Sequence, residues 1–182
     1  MERVVFTDGA CKGNPGPGGW AWAINDEHFA SGFGGDTTNQ RMELTAAWRA
    51  VEALDGAIEV RSDSTYVVNC FNQQWHVGWR RRGWRNSQKQ AVANRDLWEP
   101  FIDLVLGRND VRFTWVKGHS GVPMNEFVDQ LAVAASGGQG RYVVPDPVAS
   151  TELIAPVADR DSAGGDRSGG DVDDVIEQHS LF

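Results

Sequence analysis

The chain begins with a short alternating segment that ends in an acidic residue and runs into a turn-rich stretch. Within residues 3–8, Val4 and Phe6 share one strand face with Asp8. Residues 9–19 contain five glycines and two prolines, which favour tight turns. The pattern predicts a strand that ends at Asp8, followed by a backbone that can pass close to whatever this carboxylate binds.

Strand and helix patterns alternate along the following residues. Runs at 19–24 and 28–33, joined by a polar turn, predict an antiparallel meander with the first strand. Apolar periodicity predicts the remaining elements, which are helices at 38–54, 64–71, 94–106 and 124–135 and strands at 58–62 and 111–116. This order predicts an α/β fold in which helices pack on a mixed sheet.

Charge is distributed unevenly along the 182 residues. The formal net charge is -8, but residues 137–182 carry nine acids and three bases and account for -6 of it. Residues 64–95 contain six bases and no acid. Because the local distribution outweighs the sum, the acidic total does not exclude a nucleic-acid partner.

Cysteine usage and the N-terminus indicate a cytoplasmic protein. Cys11 and Cys70 form neither a disulfide framework nor a metal-ligand pattern. The chain shows no signal-peptide pattern and no run of about 18 apolar residues. We therefore expect no membrane association.

Four acids stand where a sheet-based fold can bring them together. Asp8 and Asp63 each end a predicted strand, Glu43 lies near the start of a helix, and Asp129 lies in the last helix. Each alone is explained as well by a helix cap or a solvated charge. Four carboxylates at one site repel one another unless cations neutralise them, and such hard oxygen ligands suit Mg²⁺.

Five motifs occur in the order in which one enzyme family carries them. They are TDGAC at 7–11 with the glycine-rich run at 13–19, NQRMEL at 39–44, DSTYV at 63–67, WVKGHSG at 115–121 and NEFVD at 125–129. Together they resemble bacterial type 1 ribonuclease H over residues 2–136. The resemblance implies a ribonuclease H-like fold for a catalytic domain at 1–136, with a five-stranded mixed sheet and helices on both faces.

The resemblance also implies an activity and its machinery. The expected reaction is endonucleolytic cleavage of the RNA strand of RNA–DNA hybrids, as in primer and R-loop removal, leaving 5′-phosphate and 3′-hydroxyl ends. Asp8, Glu43, Asp63 and Asp129 match the family's metal-binding acids, which hold two Mg²⁺, or Mn²⁺, around the scissile phosphate. His119 matches a loop histidine that assists proton movement or product release. A monomer is expected.

Further positions match substrate contacts of the family. Cys11, Asn14, Asn39 and Gln40 lie where the family contacts the minor groove, with Gln40 in place of an asparagine. Thr38 and Asn94 match a pocket that grips a DNA phosphate. The family pocket also has a basic residue late in the second strand, where this chain has Asn25-Asp26.

A basic, tryptophan-rich stretch at about 74–89 resembles the protrusion of the bacterial enzymes. It has almost no aliphatic residue and therefore predicts no core of its own. Aromatic rings among bases suit a channel that follows a phosphate backbone. The expected substrate contacts are Trp75, Trp79, Arg80, Arg81, Arg82 and Arg85. The tryptophans are also expected to pack the protrusion's helix against the domain, with Trp75 and Trp79 nearer the substrate and Trp84 more structural.

Two other functions fit parts of the pattern. A hybrid-binding module without activity has the same fold, but four retained acids facing a phosphate backbone would weaken its binding. Another metal nuclease, such as a junction resolvase or a transposase-like domain, fits the acids but not the basic protrusion. These functions are distinguished by comparing cleavage of a hybrid with cleavage of double-stranded and branched substrates.

Residues 137–182 form an acidic segment rich in Gly, Ser and Asp, which predicts disorder. Its last five residues, QHSLF, resemble the peptide with which bacterial replication proteins bind the DNA sliding clamp. Gln178, Leu181 and Phe182 match that peptide, and His179 replaces its usual leucine. A linker of roughly 40 residues has a root-mean-square reach on the order of 35 Å, enough to tether the domain beside a clamp.

Overall fold

A computed structural model describes residues 2–140, and these residues build one five-stranded sheet. The strands are β1 Arg3–Cys11, β2 Gly16–Ala23, β3 Phe29–Thr37, β4 Ile58–Ser62 and β5 Val111–Trp115, in the order β3-β2-β1-β4-β5. The helices are α1 Asn39–Ala53, α2 Thr65–Asn72, α3 Trp75–Arg81, α4 Arg95–Gly107 and α5 Pro123–Ser136. None of them is long and apolar enough to cross a membrane.

The sheet is mixed, as predicted. β1, β2 and β3 pair antiparallel, whereas β4 pairs parallel with both β1 and β5. Phe6 of β1 lies opposite Arg61 of β4. Asp8 stands two residues further along β1, and Asp63 directly follows the last residue of β4, so the parallel register carries both acids to the same end of the central pair.

Alternation along β1 separates two cores. Val5 packs with residues of α1, α2 and α4 on one face of the sheet. Phe6 packs with Val128 and Leu131 of α5 on the other. The predicted layering, with helices on both faces, is therefore confirmed.

The prediction that β1 ends at Asp8 is wrong. β1 continues to Cys11, and β2 already begins at Gly16, so most of the glycine-rich run is paired strand. The backbone hydrogen bonds that pair the two strands outweigh the turn propensity of glycine, since glycine also adopts extended backbone. Asp8 consequently lies inside the sheet, paired with Ala21.

The tryptophan-rich stretch packs into the core of the domain, as expected for its rings. Trp79 of α3 and Trp84 are each only 8% exposed. The ring of Trp79 lies 5.5 Å from that of the fully buried Trp98 and 6.4 Å from that of Trp84. The expected packing is confirmed for Trp84 and also for Trp79, which is as deeply buried as Trp84, whereas Trp75 is the more exposed ring. Three tryptophans supply the apolar area that the missing aliphatic residues would have given.

Candidate active site

Glycine at position 9 allows α1 to lie directly against β1. A Cβ atom at Gly9 would collide with the backbone of Met42 and Glu43. Any larger residue would therefore push the helix away from the strand. This close approach places Glu43 beside Asp8, the neighbour of Gly9.

Asp8 is a nearly buried carboxylate, 8% exposed, among other acids. Burial raises its pKa to about 8, and the carboxylate of Asp63 adds to the rise. The N–H of Gly9 opposes this shift by donating to Asp8 Oδ1 at 2.7 Å. Asp129 and Glu43 also raise the pKa of Asp8, by smaller amounts. The structure thus brings all four predicted acids within electrostatic range of one another.

Glu43 is held by hydrogen bonds on both carboxylate oxygens. Ser64 Oγ donates to Oε2 at 2.5 Å, and Asn39 Nδ2 donates to Oε1 at 2.8 Å. Burial nonetheless raises the pKa of Glu43, and repulsion by Asp63 contributes. The two donors lower it only in part, so this carboxylate is fixed in place but still lacks a full counter-charge.

Asp63 begins the loop after β4 and is contacted from two other segments. Asn125 Nδ2 donates to its Oδ2 at 3.5 Å, and Trp115 Nε1 donates to its backbone oxygen at 3.1 Å. A Cβ at Gly118 would crowd Asp63 Oδ2, so the loop after β5 also comes close to this carboxylate. The strand end, this loop and α5 therefore meet at Asp63.

Asp129 and His119 differ in their position relative to the other acids. Asp129 lies one turn after Asn125 on α5, is partly buried, and acts on the pKa of Asp8. His119 is exposed in the loop with a φ of 49°, and its ring takes part in no hydrogen bond among residues 2–140. The structure brings Asp129 to the other acids but leaves His119 at the rim.

The acids do not form a preassembled metal centre. Across the described residues, no group of three or more His, Cys, Asp and Glu side chains is arranged to hold a metal ion. Asp63, Asp129 and Glu43 each act on the pKa of Asp8, yet the described side chains of the four acids are not drawn around a common point. Their oxygens are nevertheless the donor type that Mg²⁺ prefers.

Two of the four predicted minor-groove residues, Asn14 and Asn39, are linked to Glu43 by hydrogen bonds. Asn14 Oδ1 accepts from the backbone N–H of Asn39 at 3.3 Å, and the side chain of Asn39 in turn donates to Glu43. Gln40 is exposed beside them. The thiol of Cys11 donates to the backbone oxygens of Gly16 and Thr37, at 3.2 and 3.4 Å, and so ties the β1–β2 turn to the end of β3.

The predicted basic contacts lie on and after α3. Arg80, Arg81, Arg82 and Arg85 are all exposed. Arg80 pairs with Asp103, while Arg82 and Arg85 donate to backbone oxygens. These bonds orient three of the four guanidinium groups on the surface without burying them.

Two residues that contact the acids were not predicted. Ser64 begins α2 as its N-cap, accepting from the N–H of Val67, and also donates to Glu43. Asn125 is only 3% exposed, and its Oδ1 has no hydrogen-bond partner among the described residues. The available signals were a serine directly after Asp63 and an amide four residues before Asp129, hence on the same face of α5.

The mixed sheet carries a carboxylate cluster at its parallel strands β1 and β4, and a basic flank lies on and after α3. This combination defines a class of protein. The donors suit a divalent cation, and the flank suits a phosphate-rich substrate, which together indicate an enzyme acting on nucleic acid. Residues 1–137 match the family model described as RNase H. The chain therefore belongs to the ribonuclease H family and is an enzyme of that family.

Individual relatives agree with this assignment. A ribonuclease H of Syntrophomonas wolfei is 50% identical over 138 residues, covering 72% of this chain and 93% of that protein. The crystal structure of LC9-RNase H1, a type 1 RNase H with the type 2 active-site motif, is 29% identical with a TM-score of 0.64, covering 76% of this chain and 73% of that one. LC11-RNase H1 in complex with RNA/DNA hybrid shares the fold at 24% identity, with a TM-score of 0.57 over 74% of this chain and 96% of that one.

Replacing Asp8 with asparagine should stabilise the metal-free protein, and more strongly at higher pH. The folded protein keeps the Asp8 proton up to a pH of about 8, whereas the unfolded chain releases it at about 3.9. Between these values the folded state binds more protons, so this group makes wild-type stability fall as pH rises. Urea unfolding in a chelator at pH 5 and pH 8 measures the effect.

The control for this prediction is Asp55→Asn, because Asp55 is exposed at the end of α1. The gain in unfolding free energy for Asp8→Asn should be larger at pH 8 than at pH 5, while the control shows no such trend. A gain that does not grow with pH would contradict the burial of Asp8 among acids.

Proposed function

We propose that this protein hydrolyses the RNA strand of RNA–DNA hybrids, leaving 5′-phosphate and 3′-hydroxyl ends, as in primer and R-loop removal. The observation that carries the proposal is the cluster of four acids around Asp8, in a chain 50% identical over most of its length to a ribonuclease H. A fold relative, LC11-RNase H1, is seen with an RNA/DNA hybrid bound. We also propose that it acts as a monomer in the cytoplasm.

The donor set fits divalent metal ions. Asp8 and Glu43 both have raised pKa values because burial and neighbouring acids disfavour their charges, and a cation would relieve that repulsion. Asp8, Glu43, Asp63 and Asp129 would hold two Mg²⁺, or Mn²⁺. Bound there with the substrate, such ions would supply an activated water and stabilise the leaving oxygen.

The protein's own residues orient the reacting groups. Asn39 and Ser64 hold both oxygens of Glu43, so that this carboxylate presents a fixed face. Asn125 holds an oxygen of Asp63. His119, which is exposed at the rim, would move a proton to or from solvent at an imidazole nitrogen.

Hybrid selection is assigned to the surface beside Glu43. Cys11, Asn14, Asn39 and Gln40 would contact the minor groove, where RNA presents its 2′-hydroxyls. Because Asn39 also binds Glu43, an interaction in the groove is coupled to the position of a catalytic carboxylate. Thr38 and Asn94 would take a phosphate of the DNA strand.

The protrusion around α3 would follow the phosphate backbone. Its four exposed arginines supply charge, and Trp75, partly exposed, supplies a ring surface. Trp79 is buried and would act mainly by supporting Trp75, whose ring centroid lies 6.2 Å away.

Asp63→Asn should lower Mg²⁺-dependent hybrid cleavage by more than about tenfold while leaving hybrid binding intact, because it removes one ligand charge at nearly constant volume. Labelled hybrid, double-stranded RNA, double-stranded DNA and a branched junction are compared, with Asp55→Asn as the matched control. Hybrid that the wild type binds but never cuts would favour a non-catalytic module. Equal cutting of the junction would favour another nuclease.

Replacing Arg80, Arg81, Arg82 and Arg85 together with alanine should weaken hybrid binding and flatten its salt dependence. For a duplex, each phosphate that is no longer neutralised by an arginine lowers the log–log slope by about 0.9. Turnover at saturating substrate should change much less. Binding measured from low to moderate salt tests this, and an unchanged slope would show that the protrusion does not touch the backbone.

The C-terminal QHSLF peptide lies outside residues 2–140. We propose that it binds the bacterial DNA sliding clamp through Gln178, Leu181 and Phe182, a proposal supported by the sequence alone. The full chain should bind purified clamp, and a Leu181→Ala, Phe182→Ala chain should bind it more weakly while cleaving hybrid normally. Equal binding by both chains at high micromolar clamp would reject the clamp as partner.

A further inference from the structure

Trp115 is a half-exposed ring whose orientation is fixed beside Asp63. It is the last residue of β5 and pairs with Ser62, the residue before Asp63. Its indole Nε1 donates to the backbone oxygen of Asp63 at 3.1 Å, yet the residue is 49% exposed. Single exposed apolar residues are ordinary on protein surfaces. Here, however, the hydrogen bond holds one edge of the ring and leaves much of its surface open to solvent.

The position of Trp115 in β5 explains why the ring is open. Side chains at 111, 113 and 115 share one face of the strand. Phe113 on this face is buried and stacks on Phe71, with ring centroids 4.2 Å apart. Trp115 stands two residues further toward the acids, where this packing ends. The row of core-facing side chains therefore continues past the core and presents an aromatic ring next to Asp63.

Lys117 supplies a cation in the loop after β5. It is exposed, and among residues 2–140 its ammonium group takes part in no ion pair or hydrogen bond. Ser120 Oγ donates to the backbone oxygen of Lys117 at 2.6 Å, which closes the turn. The next residue, Gly118, lies against the Asp63 carboxylate. An unpaired positive charge therefore lies next to the loop residue that contacts Asp63.

An aromatic ring beside a cation suits a nucleic-acid strand. Cations neutralise phosphates, and rings pack on the nucleotides between them. In a duplex the bases already stack on one another, so the surface that a side-chain ring can cover is a sugar. A protein partner would need a larger apolar patch than one ring. Neither residue belongs to the basic flank on and after α3, which is a different segment of the chain.

We propose that Trp115 and Lys117 form a second contact with the hybrid, separate from that of the α3 flank. The Trp115 ring packs against a sugar next to the scissile phosphate, and Lys117 neutralises the adjoining phosphate. The inference rests on the proposed function, in which the scissile phosphate binds beside Asp63. The hydrogen bond to the Asp63 backbone keeps the ring in one orientation before the hybrid arrives, so that little side-chain freedom is lost on binding.

The contribution of the ring is measured as hybrid binding by full-length Asp63→Asn protein, whose backbone oxygen at position 63 still accepts from Trp115. Trp115→Ala should bind about tenfold more weakly, as expected for one stacked ring. The salt slope should stay unchanged, because no charge is removed. Trp115→Phe keeps a ring and should retain most of the affinity. The matched control is Phe33→Ala, which should bind normally, since Phe33 is 55% exposed on β3 at the other edge of the sheet.

The contribution of the cation is measured in the same parent protein as the salt dependence of binding. Lys117→Ala should give a log–log slope smaller by about 0.9, because one phosphate is no longer neutralised. Lys117→Arg should restore the slope of the parent. Arg49→Ala is the matched control, since Arg49 is an exposed base on α1 that pairs with Glu52. This control should leave the slope unchanged, and an equally unchanged slope in Lys117→Ala would overturn the proposal.

A ring that only braces the Asp63 backbone predicts a different pattern. In that case Trp115→Phe and Trp115→Ala would lower turnover at saturating hybrid to the same extent, because both lose the indole N–H. Neither substitution would then change hybrid binding. That combination of results would overturn the proposal.

Photo-cross-linking locates the nucleotide that the ring contacts. The photoreactive residue p-benzoylphenylalanine is introduced at position 115 or at position 33 of the Asp63→Asn protein, and wild-type cleavage of the same hybrid marks the scissile phosphate. Position 115 should label a nucleotide next to that phosphate, and position 33 should label neither strand. If both positions label the hybrid equally while the wild type cleaves it, the contact is rejected and the proposed function stands. Failure of the wild type to cleave hybrid overturns the proposed function instead.

Discussion

Repulsion among carboxylates around a buried strand residue is the constraint on which the other features of this site depend. Parallel pairing of β1 with β4 carries Asp8 and Asp63 to the same end of the sheet, and Gly9 lets α1 bring Glu43 alongside. Burial and mutual repulsion raise the pKa of Asp8 to about 8. Only a few donors, such as the N–H of Gly9, oppose this effect. A site built in this way has excess negative charge that divalent cations can neutralise.

The start of α1 connects the acids to the surface that is proposed to bind the substrate. Asn39 at the start of α1 binds Glu43 with its side chain and Asn14 with its backbone. Two residues further on, Arg41 reaches across to α4. One helix end thus positions the Glu43 carboxylate, the Asn39 amide and the Arg41 guanidinium. The net charge of -8 conceals this arrangement because much of the negative charge lies in residues 137–182.

Much of the architecture could be predicted from local patterns, because strand alternation and helical periodicity are properties of neighbouring residues. The mixed sheet, four of the five helices and the gathering of the four acids follow from such patterns and from the motif order. The end of β1 was mistaken because turn propensity is local, whereas pairing with β2 depends on distant residues. The depth to which Trp79 is buried could not be predicted for the same reason, since its partner Trp98 lies 19 positions away.

Interactions between side chains from distant segments could not be read from the chain. Three side-chain hydrogen bonds depend on how the helices and strands pack. They run from Ser64 to Glu43, from Asn125 to Asp63 and from Arg41 to Asp96. Composition identifies such residues as polar but does not identify their partners.

If the acids repel one another until cations bind, thermal unfolding measures the effect most directly. Melting temperature is followed as Mg²⁺ replaces NaCl at constant ionic strength, for wild type, Glu43→Gln and Asp55→Asn. Mg²⁺ should raise the melting temperature of wild type and Asp55→Asn, and most of the rise should be lost in Glu43→Gln. An equal rise in all three proteins, or none in wild type, would contradict this repulsion.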